Sequence, residues 1–257
     1  MTDPVLSLDG LTKTFSEDGK TCPALCGISF DVGAQEIVCI MGPSGCGKST
    51  LLRIIGGLEH ADAGTVQWDA GNENGGLSAA MVFQDHALFP WLTVEENLVY
   101  GLRLSAQRVP EDEIRRRADT LLSLTHLGAF AQVFPHQLSG GMKQRVSVAR
   151  ALAVKPDVIL MDEPFSALDP FTRRELEDAI LEIRRDMKTT ILIVSHDPEG
   201  AVYIADRIVI LSERPATVAE IHSIDLPYPR DPADPAFIRL REQVTQKVLG
   251  KQGATRQ

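Results

Sequence analysis

The stretch GPSGCGKST, Gly42–Thr50, decides the fold of this chain. It follows the apolar run EIVCIM, which predicts a buried strand over Glu36–Met41, and it precedes LLRIIGGL, which has the pattern of a helix. Glycines allow successive backbone N–H groups to turn inward and form a nest for phosphate oxygens. A helix that begins near Lys48 directs its positive end to the same place. Strand, glycine loop and helix in this order therefore predict a phosphate-binding loop.

The same stretch fits the pattern G-x-x-x-x-G-K-[ST] of a P-loop. We expect Lys48 to reach the β- and γ-phosphates of a bound nucleotide, and Ser49 to give its hydroxyl oxygen to Mg²⁺. A merely flexible glycine-rich turn is the alternative, but the strand before it and the helix after it disfavour that interpretation. The residues predicted to bind the nucleotide here are Gly42, Pro43, Ser44, Gly45, Cys46, Gly47, Lys48, Ser49 and Thr50.

A second strand, in DVILMDEP, ends in two acids. Asp162 emerges at the carboxyl end of the apolar run, where a P-loop protein needs a carboxylate for its metal ion. Glu163 follows at once, and a second acid there can accept the proton of a water molecule that attacks the γ-phosphate. Its alternative role is that of a helix-capping or salt-bridge carboxylate.

Composition and charge exclude several classes of protein. The 257 residues carry a net charge of −9, which argues against general nucleic-acid binding because that needs a basic footprint. No run of apolar residues exceeds five, which excludes a transmembrane helix, and the N-terminus has no signal-peptide pattern. We expect the four cysteines, Cys22, Cys26, Cys39 and Cys46, to be reduced, packed thiols rather than metal ligands or disulfides.

Short apolar runs alternate with helical stretches, which predicts an α/β fold with a parallel sheet. Two runs before Gly42, LSLDGLTKTF and ALCGISFDVGAQEIVCI, read as antiparallel strands. The tail after Ser212 is punctuated by prolines, with a short helix near Ala236–Val248. The predicted parallel strands are Glu36–Met41, Ala80–Phe83, Val158–Met161, Thr190–Val194 and Arg207–Leu211.

The chain between Gln84 and Pro156 is predicted to be helical. Thr93 and Glu96 have the spacing of a capping box that opens one helix. A second helix has Pro110 near its first position and closes at Gly128. A third begins with Ser139 as its N-cap and stops before Pro156.

The segment LSGGMKQR, Leu138–Arg145, indicates which class of P-loop protein this chain resembles and so how it uses the nucleotide. It resembles the signature of the ATP-binding subunits of ABC transporters. Ser139, Gly140 and Gly141 lie at a helix N-terminus, which is a second anion site without a lysine. In the family this site meets the ATP held by the P-loop of the other subunit, so the resemblance implies a head-to-tail homodimer that holds two ATP molecules.

Other family motifs follow in the expected order. Gln84 in VFQDHALFP resembles the glutamine that touches Mg²⁺ and the attacking water, and SALD, Ser166–Asp169, resembles the loop that crosses the dimer interface at Asp169. His196 in ILIVSHD resembles the histidine that contacts the γ-phosphate, and Phe15 in LTKTF lies where the family stacks an aromatic ring on adenine. The resemblance thus implies Glu163, His196 and Gln84 as catalytic residues and Ser49, Gln84 and Asp162 as metal ligands. Phe15 keeps the alternative of an ordinary core residue.

The resemblance extends from Leu6 to Leu211 and implies a P-loop NTPase core with a parallel sheet, an N-terminal antiparallel β subdomain and an inserted helical subdomain. We expect a nucleotide-binding domain over 1–212, with its helical subdomain at about 85–156, and a C-terminal tail over 213–257. One departure is HDPEGA, in which Pro198 and Gly200 differ from the usual pattern and affect the start of the next helix.

The stretches LFPWLTVEEN, MDEPFSALDPFTRREL and LPYPRDPADPAF look most like the nitrate, sulfonate and taurine importers of this family. The resemblance implies permease subunits in the membrane, an extracytoplasmic solute-binding protein and a peripheral location on the cytoplasmic face of the inner membrane. Phe89, Pro90 and Trp91 are expected to receive a short coupling helix of the permease, with core packing as their alternative role.

Two other classes remain as alternatives. A soluble ABC ATPase of DNA repair or translation is disfavoured because Gln84 and Ser139 are only 55 positions apart, which leaves no room for a long coiled coil. The ATPase of an exporter or lipid transporter is disfavoured by LFPWLTVEEN and the tail. The sequence does not identify the transported solute.

Overall fold

A computed structural model describes residues 4–17, 20–68, 78–104, 109–166 and 168–249. These residues form two compact units. Unit 1 consists of the described residues of Met1–Leu77 and Thr190–Gln257, and unit 2 is formed from Ser78–Thr189. Among the described residues, no helix combines the length and the apolar composition that a bilayer crossing requires.

Unit 1 begins with an antiparallel sheet. Strand β1, Pro4–Glu17, pairs with β2, Lys20–Gly33, and on its other side with β4, Ala63–Trp68. Several register shifts interrupt the long β1–β2 pair. The inward side chains of β1 and β2 are aliphatic or aromatic and fully or almost fully buried, so this sheet has one core face, as antiparallel sheets commonly do.

The second sheet of unit 1 centres on β3, Ile37–Met41, all five residues of which are buried. It pairs in parallel with β7, Thr190–Val194, and with β8, Arg207–Leu211. Strand β9, Val218–Ser223, adds to β8 in antiparallel orientation. Continuous apolar strands of this kind are typical of parallel sheets that are covered on both faces.

The described residues of unit 1 form three helices. Helix α1, Lys48–Ile55, follows β3, and α6, Pro198–Ile204, follows β7. Helix α7, Pro235–Leu249, ends the described chain and packs on α6. The helix predicted near Ala236–Val248 is therefore confirmed.

Unit 2 contains the parallel strands β5, Ala79–Val82, and β6, Val158–Asp162. The other elements among its described residues are helices, and α4 contacts α2, α3 and α5. The predicted helical subdomain, 85–156, lies within this unit. The helices are α2, Val94–Leu104; α3, Glu111–Leu124; α4, Gly140–Ala153; and α5, Pro170–Met187.

The strand and cap predictions mostly hold. All five predicted parallel strands are present, with ends that move by one residue at most. The capping box before α2 is confirmed, because the Thr93 N–H donates to Glu96 Oε2 at 2.8 Å and the Glu96 N–H to Thr93 Oγ1 at 3.3 Å. Ser139 is confirmed as the N-cap of α4.

The prediction for α3 holds at its start and was wrong at its end. Pro110 is the N-cap residue, directly before the first helical residue, but the helix ends at Leu124 instead of Gly128. His126 explains the early end, because its φ of 55° is left-handed and the Leu127 N–H then donates to the Leu122 carbonyl at 2.7 Å. Gly128 instead opens a single turn of 3-10 helix, Gly128–Phe130.

The four thiols are free, as predicted, but only two of them are packed. Cys39 and Cys46 are buried, whereas Cys22 and Cys26 are exposed on β2. Cys22 lies at a position of β2 whose neighbours are also exposed, so the expectation of four buried thiols was wrong. The antiparallel sheet simply turns these side chains outward.

Candidate functional site

The loop between β3 and α1 has the backbone of an anion cradle. Gly45 and Gly47 have φ values of 74° and 118°, a region that glycine enters without strain. Gly47 is the N-cap residue of α1, and no side chain caps this helix. The first N–H groups of a helix carry its positive partial charge, so this terminus is suited to bind phosphate.

The cradle has no room for larger residues at two of its glycines. A Cβ atom on Gly42 would lie 2.9 Å from the Leu211 carbonyl oxygen and 3.1 Å from Cys46 Sγ. A Cβ atom on Gly47 would lie 3.0 Å from Leu25 Cδ2 and 3.2 Å from the Ala24 carbonyl oxygen. The loop is thus packed against β8 and β2, which fixes the direction of its N–H groups.

Lys48 is held inside this loop. Its side chain is 6% exposed, and Nζ donates to the carbonyl oxygens of Gly42 and Pro43, both at 2.9 Å. An ammonium group that folds back over the loop in this way completes a cationic lining for phosphate oxygens. The donor set of Gly42–Thr50 therefore fits a nucleotide phosphate chain.

Two thiols lie near this lysine. Burial raises the pKa of both Cys39 and Cys46, and the positive charge of Lys48 opposes that rise at each. Both groups stay neutral thiols at physiological pH and do not compete with phosphate for the cation. This fits the packed role predicted for them.

His196 lies at the same edge of the sheet as the loop. It follows β7, which pairs with β3 in register Ile40 to Val194, and the Ser195 N–H donates to the Ile40 carbonyl at 3.1 Å. The carboxyl ends of parallel neighbouring strands meet at one edge, so the loop after β3 and the histidine after β7 are brought to that edge together. The imidazole is exposed there.

Phe15 is half-buried near the end of β1, opposite Cys22 of β2. Lys13 Nζ lies 5.2 Å from its ring centroid. Lys13 also forms ion pairs with Glu59 at 2.8 Å and Asp62 at 3.4 Å. The partial exposure of the ring leaves a π-face for the predicted stacking on adenine.

Unit 2 places the other catalytic candidates at one edge of its own strands. Val82 pairs with Met161, so Gln84, two residues beyond β5, and Asp162, the last residue of β6, lie at the carboxyl ends of adjacent parallel strands. Gln84 is exposed and Asp162 is buried. Within the described residues, no cluster of three or more His, Cys, Asp or Glu side chains is arranged to hold a metal ion.

Glu163 has an unusual backbone. Its φ is 47°, in the left-handed region that costs a non-glycine residue about 1–2 kcal/mol. Ser166 holds the Glu163 carbonyl oxygen with its backbone N–H at 3.2 Å and its hydroxyl at 3.0 Å. Strain of this kind is concentrated at functional sites. It fixes the direction in which the half-buried carboxylate leaves the chain.

The predicted signature forms the N-terminus of α4. Ser139 Oγ accepts from the Met142 N–H at 3.3 Å, and both Ser139 and Gly140 are exposed. A Cβ atom on Gly140 would meet nothing within 4 Å, but one on Gly141 would lie 2.5 Å from Thr172 Cγ2. Gly141 thus permits the close approach of α4 and α5, and Gly140 leaves its backbone open to solvent.

Asp169 begins the neighbouring helix α5. Its Oδ1 accepts from the N–H groups of Phe171 and Thr172, both at 3.1 Å. A hydrogen bond with the Thr172 side chain lowers the pKa of the Asp169 carboxyl group most, and the backbone N–H groups of Thr172 and Phe171 lower it further. Phe171 is 72% exposed beside it. Ala167, in the same predicted loop, lies outside the described residues.

The sequence did not reveal two residues that organise the loop after Gln84. The buried Asn97 side chain accepts from the Phe89 N–H at 2.9 Å and donates to the carbonyls of Phe89, Leu92 and Thr93. Arg150 of α4 donates to the carbonyls of Ala87 at 2.7 Å and His86 at 3.1 Å. A polar residue on the buried face of a predicted helix is the signal that could have identified Asn97.

This loop is also tied to the helix that begins at the signature. His86 Nδ1 forms a hydrogen bond with Gln144 Oε1, one turn into α4. The Arg150 guanidinium lies 5.6 Å from the Phe89 ring centroid, and burial lowers the pKa of Arg150. The segment after Gln84 and the signature helix are therefore connected by direct contacts.

The aromatic residues after Gln84 are partly exposed. Trp91 is 69% exposed, and Pro90 is exposed as well. Phe89 is half-buried, with its ring 5.7 Å from that of Trp91 and 4.3 Å from that of Tyr100. Phe89 is thus partly packed, as the alternative role of these residues predicts, whereas Trp91 and Pro90 form an exposed apolar surface.

A cavity of about 480 Å³ lies elsewhere in unit 2, lined by residues of α3 and by the chain at the ends of α4 and α5. None of its lining residues is a predicted site residue. Its volume therefore has no bearing on the assignment of the nucleotide site, which depends on the loop backbone and the strand ends.

A parallel strand, a glycine-rich loop and a helix that starts at a buried lysine define a P-loop nucleotide-binding protein. The sequence profile of the family described as ABC transporter matches residues 25–166, more than half of the chain. An uncharacterized ABC transporter ATP-binding protein of Methanocaldococcus jannaschii is 42% identical over 240 residues, which cover 93% of this chain and 89% of that protein. The chain belongs to the ABC transporter family, and within it to the ATP-binding subunits, which are ATPases.

A second relative indicates to which branch of the ABC transporter family the chain is similar. The aliphatic sulfonates import ATP-binding protein of Bacillus subtilis is 40% identical over 233 residues, covering 90% of this chain and 89% of that protein. The predicted resemblance to the nitrate, sulfonate and taurine importers is confirmed at this level.

Solved structures confirm the predicted fold class. The dimeric structure of a bacterial ABC transporter cassette has a TM-score of 0.77 at 32% identity and covers 86% of this chain and 100% of that one. A dimeric post-hydrolysis state of an ATP-binding cassette bound to ADP and phosphate has a TM-score of 0.76 at 32% identity, with the same coverage.

Proposed function

We propose that this chain is the ATP-hydrolysing subunit of an importer for a small sulfonate-like solute, and that it works as a head-to-tail homodimer. The observation that carries the proposal is the pair of helix N-termini, one at Lys48 with a buried cation and one at Ser139 with an exposed serine and glycine but no cation. The first is built to hold a nucleotide of its own. The second is exposed and is suited to complete the γ-phosphate site of a partner subunit.

The residues proposed to bind the metal ion carry the oxygen ligands that Mg²⁺ prefers. Ser49 offers a hydroxyl, Asp162 a carboxylate and Gln84 an amide oxygen, all hard oxygen donors. A site completed by phosphate oxygens needs few protein carboxylates, consistent with the lack of a larger acidic cluster in the described residues. When bound, Mg²⁺ supplies positive charge that offsets the charge developing on the phosphates.

The proposed chemistry assigns one task to each side chain. Glu163 accepts the proton of the attacking water, and its left-handed backbone sets the direction in which its side chain leaves the chain. Gln84 orients that water, and His196 donates a hydrogen bond to the γ-phosphate as charge builds up on it. Phe15 stacks on adenine, and the residues of Gly42–Thr50 bind the phosphates. Asp169 lies at the dimer interface.

The dimer is supported by exposure and by the relatives. Ser139, Gly140 and Phe171 are all exposed in the single chain. This exposure leaves the α4 terminus and the start of α5 accessible to a partner subunit. Two of the solved cassettes that resemble this chain are described as dimeric.

The permease contact is proposed at Pro90 and Trp91. A 69% exposed tryptophan beside an exposed proline forms an apolar surface that a short membrane-subunit helix could cover. Because Asn97 and Arg150 bind the backbone of this loop, a shift of Gln84 on nucleotide binding would move the surface with it. The subunit would then be peripheral on the cytoplasmic face of the membrane, indirectly served by an extracytoplasmic solute-binding protein.

The test is to replace the proposed base and ask what the trapped complex contains. We would tag Glu163→Gln, solubilise native membranes in detergent with ATP and Mg²⁺, and identify copurifying proteins by mass spectrometry. Glu182→Gln, at an exposed position of α5, is the matched control. We expect loss of turnover by a factor of about 10² or more in Glu163→Gln alone, together with a stable dimer and a polytopic membrane protein.

Each outcome has a definite meaning. Near-normal turnover in Glu163→Gln would refute the assignment of the base. A dimer found only in the soluble fraction, with no membrane protein, would refute the importer and favour a soluble ABC ATPase. A recovered solute-binding protein could then be titrated with alkanesulfonates, nitrate and taurine, and failure to bind any sulfonate would refute the proposed solute class.

A further inference from the structure

The tail segment LPYPR, Leu226–Arg230, has no role in the function proposed above, yet it contains a buried cation. Arg230 is 6% exposed, and an arginine is rarely buried to this extent unless its donors are satisfied. We name the side chains of Tyr228 and Arg230 the tail clamp. Both contact α6, the helix that follows His196, and all of these residues belong to unit 1.

Arg230 binds the C-terminal carbonyl groups of α6. Its Nη1 donates to the carbonyl oxygens of Val202 at 2.7 Å, Ala205 at 2.6 Å and Tyr203 at 3.3 Å, and its Nε donates to Leu226 at 3.1 Å. The last carbonyls of a helix have no partners within the helix and carry its negative partial charge. A buried guanidinium at this position therefore acts as a C-cap supplied from a distant part of the chain.

Tyr228 extends the same contact. Its hydroxyl donates to the Ile204 carbonyl at 2.7 Å and approaches Asp206 Oδ1 at 3.3 Å, and its ring lies 4.1 Å from the Arg230 guanidinium carbon. The other carboxylate oxygen of Asp206 accepts from the Ile37 N–H at 2.8 Å, at the start of β3. The tail clamp is thus connected to the strand that leads into the P-loop.

The opposite end of α6 is adjacent to His196. Asp197 is the N-cap residue and accepts from the Glu199 N–H at 3.1 Å, so the helix begins immediately after the histidine. Arg241 of α7 adds an ion pair to Glu199 at 3.3 Å. Pro198 occupies the first position of the helix, where proline is tolerated.

Helix α6 depends on such external contacts. It has only seven residues, and Gly200 in its interior further lowers its intrinsic stability. A helix this short holds its orientation through tertiary contacts rather than through its own hydrogen bonds. The position of the chain at His196 therefore depends on how both ends of α6 are fixed.

We propose that Arg230 is a positioning residue for ATP hydrolysis: by capping α6 from the tail, it holds His196 in the orientation required at the γ-phosphate. Tyr228 supports Arg230 in this role. The proposal rests on the function proposed above for His196, and it assigns a role in the reaction to the C-terminal tail. Neither residue touches the nucleotide, so both act through the helix.

The first experiment is steady-state ATP hydrolysis by the purified full-length chain with Arg230→Lys. Lysine keeps the charge but has a single terminal nitrogen, so it cannot serve both the α6 carbonyls, which accept from Nη1, and the Leu226 carbonyl, which accepts from Nε. We expect kcat to fall about tenfold or more, because small displacements of a positioned group have large kinetic effects. KM for ATP and the dissociation constant of ADP stay unchanged, because the loop Gly42–Thr50 is intact. Arg239→Lys, at an exposed position of α7, is the matched control and keeps the kcat of the unaltered chain.

A double-mutant cycle with His196→Ala separates positioning from general damage. If Arg230 acts through His196, Arg230→Lys causes no further loss of kcat once the imidazole is removed. If it merely stabilises the fold, the two losses multiply. Tyr228→Phe, which removes only one partly exposed hydroxyl, keeps the test informative if Arg230→Lys fails to fold, and we expect it to show the same pattern with a smaller loss.

Amide hydrogen exchange over residues 196–206 gives a readout that does not depend on turnover. We expect faster exchange in Arg230→Lys within this segment and unchanged exchange in α1. Unaltered kcat in Arg230→Lys, multiplicative losses in the cycle, or unaltered exchange at 196–206 would each overturn the proposal. Lack of ATP hydrolysis by the unaltered chain would instead refute the proposed function, and the exchange measurement would still decide whether the tail holds α6.

Discussion

Two helix N-termini of this protein look alike in sequence but differ in construction. The terminus of α1 follows a strand, is packed against Leu25 and Leu211, and contains a buried lysine. The terminus of α4 follows a loop, is exposed at Ser139 and Gly140, and is capped by its own serine. Both can attract an anion through their backbone dipoles.

The difference between them indicates a division of labour. The α1 terminus has its cation, its glycine backbone and its packing within one unit, so it can bind a nucleotide unaided. The α4 terminus has an open backbone and one hydroxyl, and a dipole at an exposed surface contributes less than about 1 kcal/mol. It therefore gains function only when a phosphate is delivered to it, as by a second subunit.

Removal of the cation from the α1 terminus is expected to have the largest effect. Lys48→Ala should weaken ATP binding by about ten- to hundredfold, because charge-assisted hydrogen bonds contribute about 1.5–3 kcal/mol each. It also leaves the Gly42 and Pro43 carbonyls without this donor. Titration calorimetry of the purified chain with ATP and Mg²⁺ measures the change. Lys20→Ala, at an exposed position of β2, is the control, and equal affinity in the two variants would contradict a self-sufficient α1 site.

Adding one methyl group at the α1 terminus and one at the α4 terminus tests how tightly each is packed. Gly47→Ala places a Cβ 3.0 Å from Leu25 in a left-handed backbone, and we expect a loss of about 1–3 kcal/mol in the free energy of unfolding together with weaker ATP binding. Gly140→Ala meets nothing within 4 Å, so its unfolding free energy should change by less than about 0.5 kcal/mol. Urea unfolding measures both values.

The Gly140→Ala substitution also distinguishes ATP binding from ATP-dependent dimerisation. In the Glu163→Gln background, Gly140→Ala should keep ATP binding by the single chain but lose the ATP-dependent dimer on size-exclusion chromatography. If Gly140→Ala forms that dimer normally, the α4 terminus is not the surface that receives the partner's nucleotide.

The sequence predicted the elements that are specified by local rules. Buried parallel strands are continuous apolar runs, and the caps at Thr93 and Ser139 require only a few neighbouring residues. The α1 terminus was predictable for the same reason, since loop, lysine and helix are contiguous in the chain. The early end of α3 at Leu124 was missed because it depends on the left-handed backbone of His126, a conformation that few non-glycine residues adopt.

Contacts between distant parts of the chain could not be predicted in this way. Strand β9 alternates between half-buried and exposed residues and is specified mainly by its pairing with β8, and β4 by its pairing with β1. Arg230 lies 25 positions or more from the helix carbonyls it binds, in a stretch that reads as a surface tail. Arg150 likewise binds a loop 63 positions away. Such partners are defined by the tertiary fold and leave no periodic signal.

The serine that caps α4 has two roles that can be separated. Ser139→Ala removes the acceptor for the Met142 N–H and should lower the free energy of unfolding by about 1 kcal/mol. Asparagine is an equally good N-cap, so Ser139→Asn should recover most of that stability. Its larger side chain should still hinder the ATP-dependent dimer of the Glu163→Gln variant. Recovery of both properties by asparagine would mean that Ser139 only caps the helix.

The smallest effect is expected at Asp169, which begins the helix packed beside the α4 terminus. Its carboxyl pKa is lowered, chiefly by the hydrogen bond with Thr172, so the charged form stabilises the folded chain. This contribution is fully present above the ordinary aspartate pKa of about 3.9, and it is lost as the pH falls through the lower pKa of the folded state.

An asparagine side chain at this position can still cap α5 but does not titrate, so the stability difference between Asp169→Asn and the unaltered chain should be constant from about pH 5 to 7 and shrink below about pH 4. Urea unfolding at several pH values measures it. A difference that does not change with pH would mean that the charge of Asp169 does not stabilise this helix, and its role would then have to come from the partner subunit alone.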